Sequence, residues 1–282
     1  MFMSKTLFSA VKFFMYSLVI IFFLTGCAAP IPMVIHSADS MYTTNPMKRI
    51  AVFSSAYVVW PRTGVKQPVV DIRASKQSQE KILPLLQGQL AQKGYEVANV
   101  SPTGVAFVSP DINYNDFYFI DGGSEERKVA AIGPVFEYPI LKQNPDLEKA
   151  VREFVEQLNI ARKAKRLSSF APDREAIKVI AKELGAGADT LCHMYVVGDK
   201  YSSARKLGQM LIPYSSVLIE DLAVELTCLQ VNSAQVLWIN SLLSYLDPLE
   251  PTAEFVSELI QHLPPRGAPL SRQIKRSTGG GG

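Results

Sequence analysis

The feature that most constrains this chain is an apolar run near its start, Phe13–Leu24, which follows two lysines and no acidic residue. A run of about a dozen residues is too short to cross a bilayer, which takes roughly 20 apolar residues. It does have the length of the hydrophobic region of an export signal, about 7–15 residues. The small pair Thr25-Gly26 then leaves room for a peptidase. We therefore expect residues 1–26 to be a cleaved signal peptide.

The four residues that end this segment, Leu24-Thr25-Gly26-Cys27, resemble the lipobox of bacterial lipoproteins. The resemblance implies cleavage between Gly26 and Cys27, a lipid on the Cys27 thiol, and an acyl chain such as palmitate on the new amino terminus. Several acyl chains hold a protein on a membrane far better than one does. Because an Asp after the cysteine tends to retain such lipoproteins at the inner membrane, Ala28 implies the outer membrane, facing the periplasm. An ordinary cleaved signal with a cysteine near the cut is the alternative.

The net charge and the cysteine spacing limit which partners and ligands the mature chain is expected to bind. The formal net charge is +3, and loss of the two signal lysines lowers it by two, which argues against nucleic acid as the main partner. Cys192 and Cys228 fall at apolar positions of predicted strands. An oxidising periplasm permits a disulfide there, but free cysteine also packs well in such positions, and we favour two buried thiols. Their spacing does not indicate a metal site.

Composition divides the mature chain into three parts. Residues 27–47 contain three prolines and no apolar period, which predicts a lipid anchor and a tether. A partly ordered arm packed on the domain is the alternative. An α/β domain is expected over residues 48–262. The last part, residues 263–282, is rich in Pro and Gly and is predicted to be a disordered tail.

The first half of the domain predicts a β-α-β unit. Lys48–Trp60 is rich in β-branched and aromatic residues, and Ile50–Phe53 within it lacks polar alternation, which favours a central strand covered on both faces. A helix over Ser75–Lys93, with Gly94 as its left-handed stop, leads to a strand at Tyr95–Val100. Pro84 would break a helix interior, so we expect it to begin a helix or to kink one.

A long insertion, Ser101–Asn144, follows this unit and shows no clear elements. Segments of this kind are functional or flexible. The insertion carries an aromatic cluster that we interpret either as a partner-binding surface or, more commonly for such clusters, as a pin that holds a loop on the core. Its members are Tyr114, Phe117, Tyr118 and Phe119.

The second half of the domain continues the alternation of helices and strands. A helix over Pro145–Leu167 has acids in its first turn and the basic run Arg162–Arg166 in its last, which suits the helix dipole, although the run could also touch anionic lipid or glycan. The remaining predicted elements are a helix from Pro172 to Gly185, a strand over Ala188–Asp199, a hairpin of Val217–Val231 and Gln235–Leu246 around Asn232-Ser233-Ala234, and a helix over Thr252–His262. The whole predicts a three-layer α/β domain with a mixed sheet flanked by helices.

Three pieces of this pattern resemble a group of periplasmic lipoprotein domains. They are Lys48–Phe53, Pro84–Val97, and Ala181–Leu191 with the hairpin ending Val236-Leu237-Trp238. The group includes the curli-secretion lipoprotein, the penicillin-binding-protein activator lipoprotein and the TolB amino-terminal domain. The resemblance implies the fold, and the members form pores, activate enzymes or serve as assembly parts. The chain departs from the group in its long Ser101–Leu167 segment and in a hairpin turn without Thr-Gly.

Candidate catalytic residues are few. Of the three histidines, only His193 falls in a core element, beside Cys192. Neighbours on a strand point to opposite faces, so these two side chains cannot pair, and we interpret His193 as structural. The loop Gly185–Asp189 follows a helix and opens a strand, the wrong polarity for a phosphate-binding loop. We predict no catalytic residue, metal or cofactor.

The leading hypothesis is therefore a non-enzymatic outer-membrane lipoprotein that acts as a periplasmic adaptor, or as an assembly or regulatory factor, for a protein partner in an envelope complex. A secretion-channel subunit is the first alternative. It would need membrane-facing hairpins of about ten alternating residues, and Phe107–Tyr138 alternates poorly. An envelope hydrolase is the second alternative, and the sequence offers few residues to carry its chemistry.

Overall fold

The computed structural model describes residues 33–36, 46–60, 69–105, 118–120, 126–128, 138–164, 166–167, 170–199 and 221–268. All of them belong to one compact unit, Ile31–Gly282. The predicted signal peptide lies outside the described residues, and so do Gly26, Cys27 and residues 269–282.

The described residues form nine strands and five helices. The strands are β1 (Met33–His36), β2 (Arg49–Trp60), β3 (Val69–Asp71), β4 (Glu96–Val105), β5 (Tyr118–Ile120), β6 (Glu126–Lys128), β7 (Thr190–Asp199), β8 (Asp221–Gln230) and β9 (Val236–Ser244). The helices are α1 (Ile72–Gln92), α2 (Pro139–Lys142), α3 (Pro145–Lys163), α4 (Arg174–Leu184) and α5 (Ala253–Leu259).

All nine strands join one mixed sheet in the order β1-β9-β8-β7-β2-β3-β5-β6, and β4 also pairs with β2. The pairs β2–β7, β2–β4 and β3–β5 are parallel, whereas the other neighbours are antiparallel. Parallel neighbours need a crossover, and α1 supplies the one between β2 and β4. The architecture is an α/β fold with a mixed sheet, as the sequence predicts.

Two apolar cores lie on opposite faces of the sheet. The first is built against α1 and α5, and its largest members include Trp238, Leu86 and Met47. The second is built against α3 and α4 around Phe53 and Phe154, whose ring centroids are 5.3 Å apart. Every residue of β2 from Ile50 to Val59 is buried, which confirms the prediction of a strand covered on both faces.

Helix α1 differs from its prediction at Pro84. It runs without interruption from Ile72 to Gln92 and carries Pro84 inside it, at an exposed position. The alternative that a helix begins at Pro84 is therefore wrong, and the alternative that Pro84 kinks the helix stays a prediction. The helix begins early because the carboxylate of Asp71 accepts a hydrogen bond from the Ala74 amide. Gly94 follows the helix with φ +86°, which confirms its predicted left-handed stop.

Three other boundaries differ from their predictions. Strand β4 continues to Val105 and includes Pro102, which an edge strand tolerates because no ladder hydrogen bond is needed on its outer side. Helix α3 ends at Lys163 rather than Leu167. Helix α4 begins at Arg174 instead of Pro172, because Asp173 caps it by accepting from the Ala176 amide.

Both ends of the predicted domain extend further than expected. Strand β1 pairs with β9 from Met33↔Ser241 to His36↔Trp238, so part of the predicted tether is an arm added to the sheet. After α5, Leu263 is 1% exposed, and its carbonyl accepts a hydrogen bond of 3.0 Å from Lys93 Nζ. Tyr95 donates its hydroxyl hydrogen to the Pro264 carbonyl. Leu263 and Pro264 therefore pack on the domain and do not belong to a disordered tail.

Candidate functional site

The predicted aromatic cluster is only partly within the described residues. Tyr114 and Phe117 lie outside them. Tyr118 and Phe119 form most of β5, which pairs with β3 in parallel and with β6 in antiparallel orientation. Two members of the cluster thus belong to the sheet, and whether the cluster binds a partner stays a prediction.

The two cysteines of the mature domain form a disulfide, so the preference for two separate thiols is wrong. Cys192 on β7 and Cys228 on β8 are direct cross-strand partners with a Cα–Cα distance of 4.0 Å, and both are fully buried. The periodicity places both side chains on the apolar face correctly. It does not specify the register, and the register is what brings the two sulfur atoms together.

His193 lies on the opposite face of β7 from Cys192 and is 1% exposed. Its Nε2 is 3.2 Å from the Ser55 hydroxyl, and its ring centroid is 4.8 Å from that of Phe53 and 5.5 Å from that of Phe154. Burial, together with the charge of Arg162, lowers the pKa of His193 well below its usual value, so the ring is neutral at pH 7. A substrate has no access to this imidazole.

An ion pair lies next to the histidine between α3 and the sheet. Arg162 Nη2 is 2.6 Å from Glu225 Oε1, and the Arg162 and Glu225 side chains are only 15% and 12% exposed. The guanidinium also donates from Nε to both Glu225 oxygens and from Nη1 to Asn159. It lies over the Tyr195 ring, 4.6 Å from the centroid. Thr227 donates to the same carboxylate at 3.2 Å.

Two acids end this row of polar groups, where β7 ends and β8 begins. Asp199 and Asp221 are direct cross-strand partners, so their side chains are on the same face. Burial and the neighbouring Asp221 raise the pKa of Asp199 to about 6, and burial also raises the pKa of Asp221. Tyr57 pairs with Val197 and so lies diagonally between Tyr195 and Asp199. Burial, with these two neighbours, raises the pKa of the Tyr57 phenol, which stays protonated.

These groups form a polar strip along the sheet face that carries α3, and Val197 and Ala223 of the same face lie between Glu225 and Asp221. Its members, from the buried end to the outer end, are His193, Glu225, Arg162, Tyr195, Tyr57, Asp199 and Asp221. The inner end is sealed by the aromatic core. The outer end lies at the carboxyl ends of the parallel strands β2 and β7, the edge where open α/β sheets usually bind ligands. Asp199 can exchange a proton near pH 6, and both acids can accept hydrogen bonds from a cationic group.

The sequence contains only part of the signal for the polar strip. The basic run Arg162–Arg166 is assigned to the dipole of α3. Along β8, Leu222, Val224, Leu226 and Cys228 alternate with Ala223, Glu225, Thr227 and Leu229, so one face of β8 is drier and Glu225 belongs to the other. Neither pattern indicates that Arg162 and Glu225 meet, because they are 63 positions apart. The alternation of β8 is the available signal, since it places Glu225 on the face opposite to Leu222, Val224 and Leu226, which belong to the apolar core beneath α1.

Sequence reasoning does not identify Asp221 or Tyr57 at all. Asp221 falls inside the predicted strand Val217–Val231, where nothing in the local pattern distinguishes it from a solvated acid. Tyr57 belongs to the buried strand β2 and looks like any other core aromatic. Both become part of the polar strip only through the register of β7 with its two neighbours.

A second surface feature is a shallow groove of about 540 Å³ beside α5. One residue of α1, Gln89, and five residues of the α5 region line it: Ala253, Glu254, Ser257, Glu258 and Gln261. The lining carries the carboxylates of Glu254 and Glu258, which can accept hydrogen bonds or ion pairs from a polar or basic segment of a partner.

Two further findings concern the described ranges alone. No group of three or more His, Cys, Asp or Glu side chains within them could hold a metal ion. None of the helices within them is long and apolar enough to cross a membrane.

Known proteins resemble this chain only weakly. No protein-family model matches the chain, and no curated protein matches it. Two solved structures of a PelC dodecamer from Paraburkholderia phytofirmans are weakly similar, each with 10% identity over 84% of this chain and 99% of the PelC chain. The TM-scores are 0.31 for a point variant in space group C2 and 0.28 for the protein in space group P6. Likeness at this level carries no argument about the function or assembly of this chain.

Proposed function

We propose that the protein is a non-enzymatic lipoprotein of the outer membrane, facing the periplasm, whose α/β domain acts as an adaptor or assembly factor for a protein of the cell envelope. The observation that carries the proposal is the Leu24-Thr25-Gly26-Cys27 motif directly after an export-type apolar run. A chain with such a motif is exported, acylated and kept at a membrane surface, where a folded domain can recruit or position a partner.

The geometry of the domain supports a binding role over a catalytic one. The residue that the sequence offers for nucleophilic chemistry, His193, is buried among aromatic rings and does not face Cys192. Cys192 is bonded to Cys228 and so is not a free nucleophile. The outer end of the polar strip and the acidic groove beside α5 are two accessible polar features of the described residues, and both are suited to hold a partner.

The membrane part of the proposal is tested by replacing the acylated residue. For Cys27→Ser, we expect the precursor to remain uncleaved and the protein to lose its lipid label. The native protein should show the mass of an acylated amino-terminal peptide and fractionate with the outer membrane. Unchanged processing in Cys27→Ser, with no lipid on the native protein, would contradict the assignment.

The partner part is tested by photo-crosslinking in intact cells. A photoreactive amino acid at Ser257 reports on the groove, and one at Tyr114 reports on the predicted aromatic surface. We expect one of the two positions to give a discrete crosslinked species containing a single envelope protein. A matched probe at Lys178, on the exposed side of α4, serves as the control. If Ser257 and Tyr114 gave no species beyond that control, partner binding at the groove and at the aromatic surface would be refuted.

A further inference from the structure

The distance between the lipid-bearing residue and the sheet is short. Only five residues, 28–32, separate Cys27 from Met33, the first residue of β1. A fully extended chain spans at most roughly 3.3–3.6 Å per residue, so the covalent chain would allow at most about 20 Å between an acylated Cys27 and the start of β1. Since β1 is hydrogen-bonded to β9, an acylated Cys27 would hold this edge of the sheet close to the membrane.

The register of β1 shows which corner of the sheet is nearest to the anchor. Met33 pairs with Ser241, and the strands are antiparallel, so the chain enters β1 at the carboxyl end of β9. Two large apolar side chains are exposed at that end, Leu243 at 44% and Tyr245 at 53%. They follow Ser241 by two and four residues, or roughly 7 and 13 Å at about 3.3 Å per residue. We call Leu243 and Tyr245 the apolar corner.

We propose that the apolar corner rests on the lipid surface that holds the acyl chains of Cys27, so that the domain has a fixed orientation on the membrane. This inference rests on the lipoprotein assignment made above. It identifies the membrane as a second contact of the folded domain, beyond the anchor itself. A tyrosine is suited to such a position because its ring is apolar and its hydroxyl can stay among the headgroups.

Charge at this corner indicates the kind of lipid surface that it fits. Leu222 pairs with Ser244, so Asp221 and its partner Asp199 lie at the same end of the sheet as the apolar corner. Carboxylates are repelled by anionic headgroups and tolerated by zwitterionic ones. A phosphatidylcholine surface, which these acids tolerate, is therefore a suitable probe of the contact.

The test is a depth measurement on the full acylated protein in vesicles. The variant Tyr245→Cys is labelled with an environment-sensitive fluorophore, and the vesicles contain phosphatidylcholine with or without brominated acyl chains, which quench by contact. Labelling should be specific, because Cys192 and Cys228 are bonded to each other and Cys27 carries the lipid. The matched control is Asn232→Cys, an exposed position in the turn at the opposite end of the β8–β9 hairpin.

We expect brominated lipid to lower the emission of the label at position 245 at least twofold. The emission of the label at position 232 should change by less than a tenth. The variant Leu243→Cys gives a second, independent reading of the same corner. Equal quenching at positions 232 and 245 would overturn the inference. A second outcome would also overturn the inference. If position 245 were shielded from solvent in native envelopes but its label were not quenched in pure lipid vesicles, a protein would occupy the corner.

Failure of this inference is distinguishable from failure of the lipoprotein assignment. Acylation is read from the mass of the amino-terminal peptide, and attachment is read from co-sedimentation with the vesicles. A protein that is neither acylated nor co-sedimented refutes the assignment on which the inference rests. A protein that is acylated and co-sedimented, but has no quenching at positions 243 and 245, refutes the apolar corner alone.

Discussion

The two faces of the sheet differ in the kind of polar side chain that they bury. On the face that carries α1 and α5, most of the buried polar side chains are neutral and find neutral partners: Ser54 donates to Gln79 at 2.6 Å, and Ser78 donates to the Pro248 carbonyl at 2.7 Å. On the face that carries α3, ionisable groups follow one another along the polar strip. Neutral hydrogen bonds cost little to bury when they are satisfied, whereas charges must be paired.

This difference indicates which part of the molecule can respond to pH or to a partner or membrane nearby. The α1 face contains the disulfide and a large apolar core, which stabilise the domain whatever the pH. The α3 face contains the ion pair, the neutral histidine and the two acids, whose protonation depends on pH and on what lies near them. A partner or a membrane that approaches the outer end of the polar strip would change the energy of those acids.

The largest expected effect concerns the α1 face. In the variant that carries both Cys192→Ala and Cys228→Ala, we expect the free energy of unfolding in urea to fall by about 3 kcal/mol. The reason is that the bridge closes a loop with a sequence separation of 36 residues, which restricts the unfolded chain. The wild type unfolded in the presence of a reductant should show the same loss. A reductant that left the urea midpoint unchanged would argue against a stabilising bridge.

The next effect concerns the ion pair of the α3 face. Glu225→Gln should lower the free energy of unfolding by about 2 kcal/mol, because it leaves the guanidinium of Arg162 largely buried without a counter-charge. The double variant Arg162→Met with Glu225→Leu should return to within about 1 kcal/mol of the wild type, since apolar side chains can replace a buried pair.

The control for the ion pair is Glu175→Gln. Glu175 pairs with Lys178 at 2.7 Å, but the Lys178 and Glu175 side chains are 54% and 76% exposed. We expect a change within about 0.5 kcal/mol, because water screens such a pair. Equal losses for Glu225→Gln and Glu175→Gln, measured by urea unfolding, would show that the ion pair beneath α3 is no more important than one on the surface.

The smallest effect is a pH dependence at the outer end of the polar strip. The pKa of Asp199 is raised to about 6, so between about pH 4 and 6 the folded protein keeps a proton that the unfolded chain has released. The stability from this proton is present at pH 4 and is lost as the pH rises through 6. Asp199→Asn should match the wild type at pH 4 and be more stable by about 1 kcal/mol at pH 7, since water screens this partly exposed group.

Wild type and Asp199→Asn must be compared at each pH because the protonation of His193 changes the stability of the fold in the opposite direction. Its pKa is lowered on folding, so its contribution to stability is lost as the pH falls below about 6.5, the ordinary value of a histidine. That contribution cancels in the difference between wild type and Asp199→Asn. Unfolding curves at pH 4, 5, 6 and 7 provide the measurement. A difference that did not grow with pH would contradict the raised pKa.

Much of the fold could be predicted from the sequence because its signals are local. The uninterrupted apolar run of β2, the alternation of β8 and the three- and four-residue apolar spacing of α3 each depend on neighbours along the chain. Gly94 could be recognised as a helix stop for the same reason. Pro84 shows the limit of such rules, since a helix does not begin there and packing of the surrounding helix on the sheet outweighs the cost of one exposed proline.

The site could be predicted only in part, because its members come from different elements. The sequence places His193 in a core strand and Arg162 at the end of a helix, but their neighbours depend on which strands pair. The pairing of β1 with β9 was likewise hidden, since a four-residue arm near prolines has no periodicity that distinguishes a strand from a tether. A strand as short as β1 forms because the edge of the sheet offers hydrogen-bond partners, not because of its own sequence.

By itself, the sequence determined the order of most helices and strands and the faces on which their side chains lie, and it is the basis for the proposed export signal and lipid site at Cys27. Only the tertiary structure decided that Cys192 is bonded to Cys228, that Arg162 pairs with Glu225, that Asp199 opposes Asp221, and that β1 adds to β9. The physical reason is that periodicity specifies the face of a residue, whereas the register between distant strands specifies its partner.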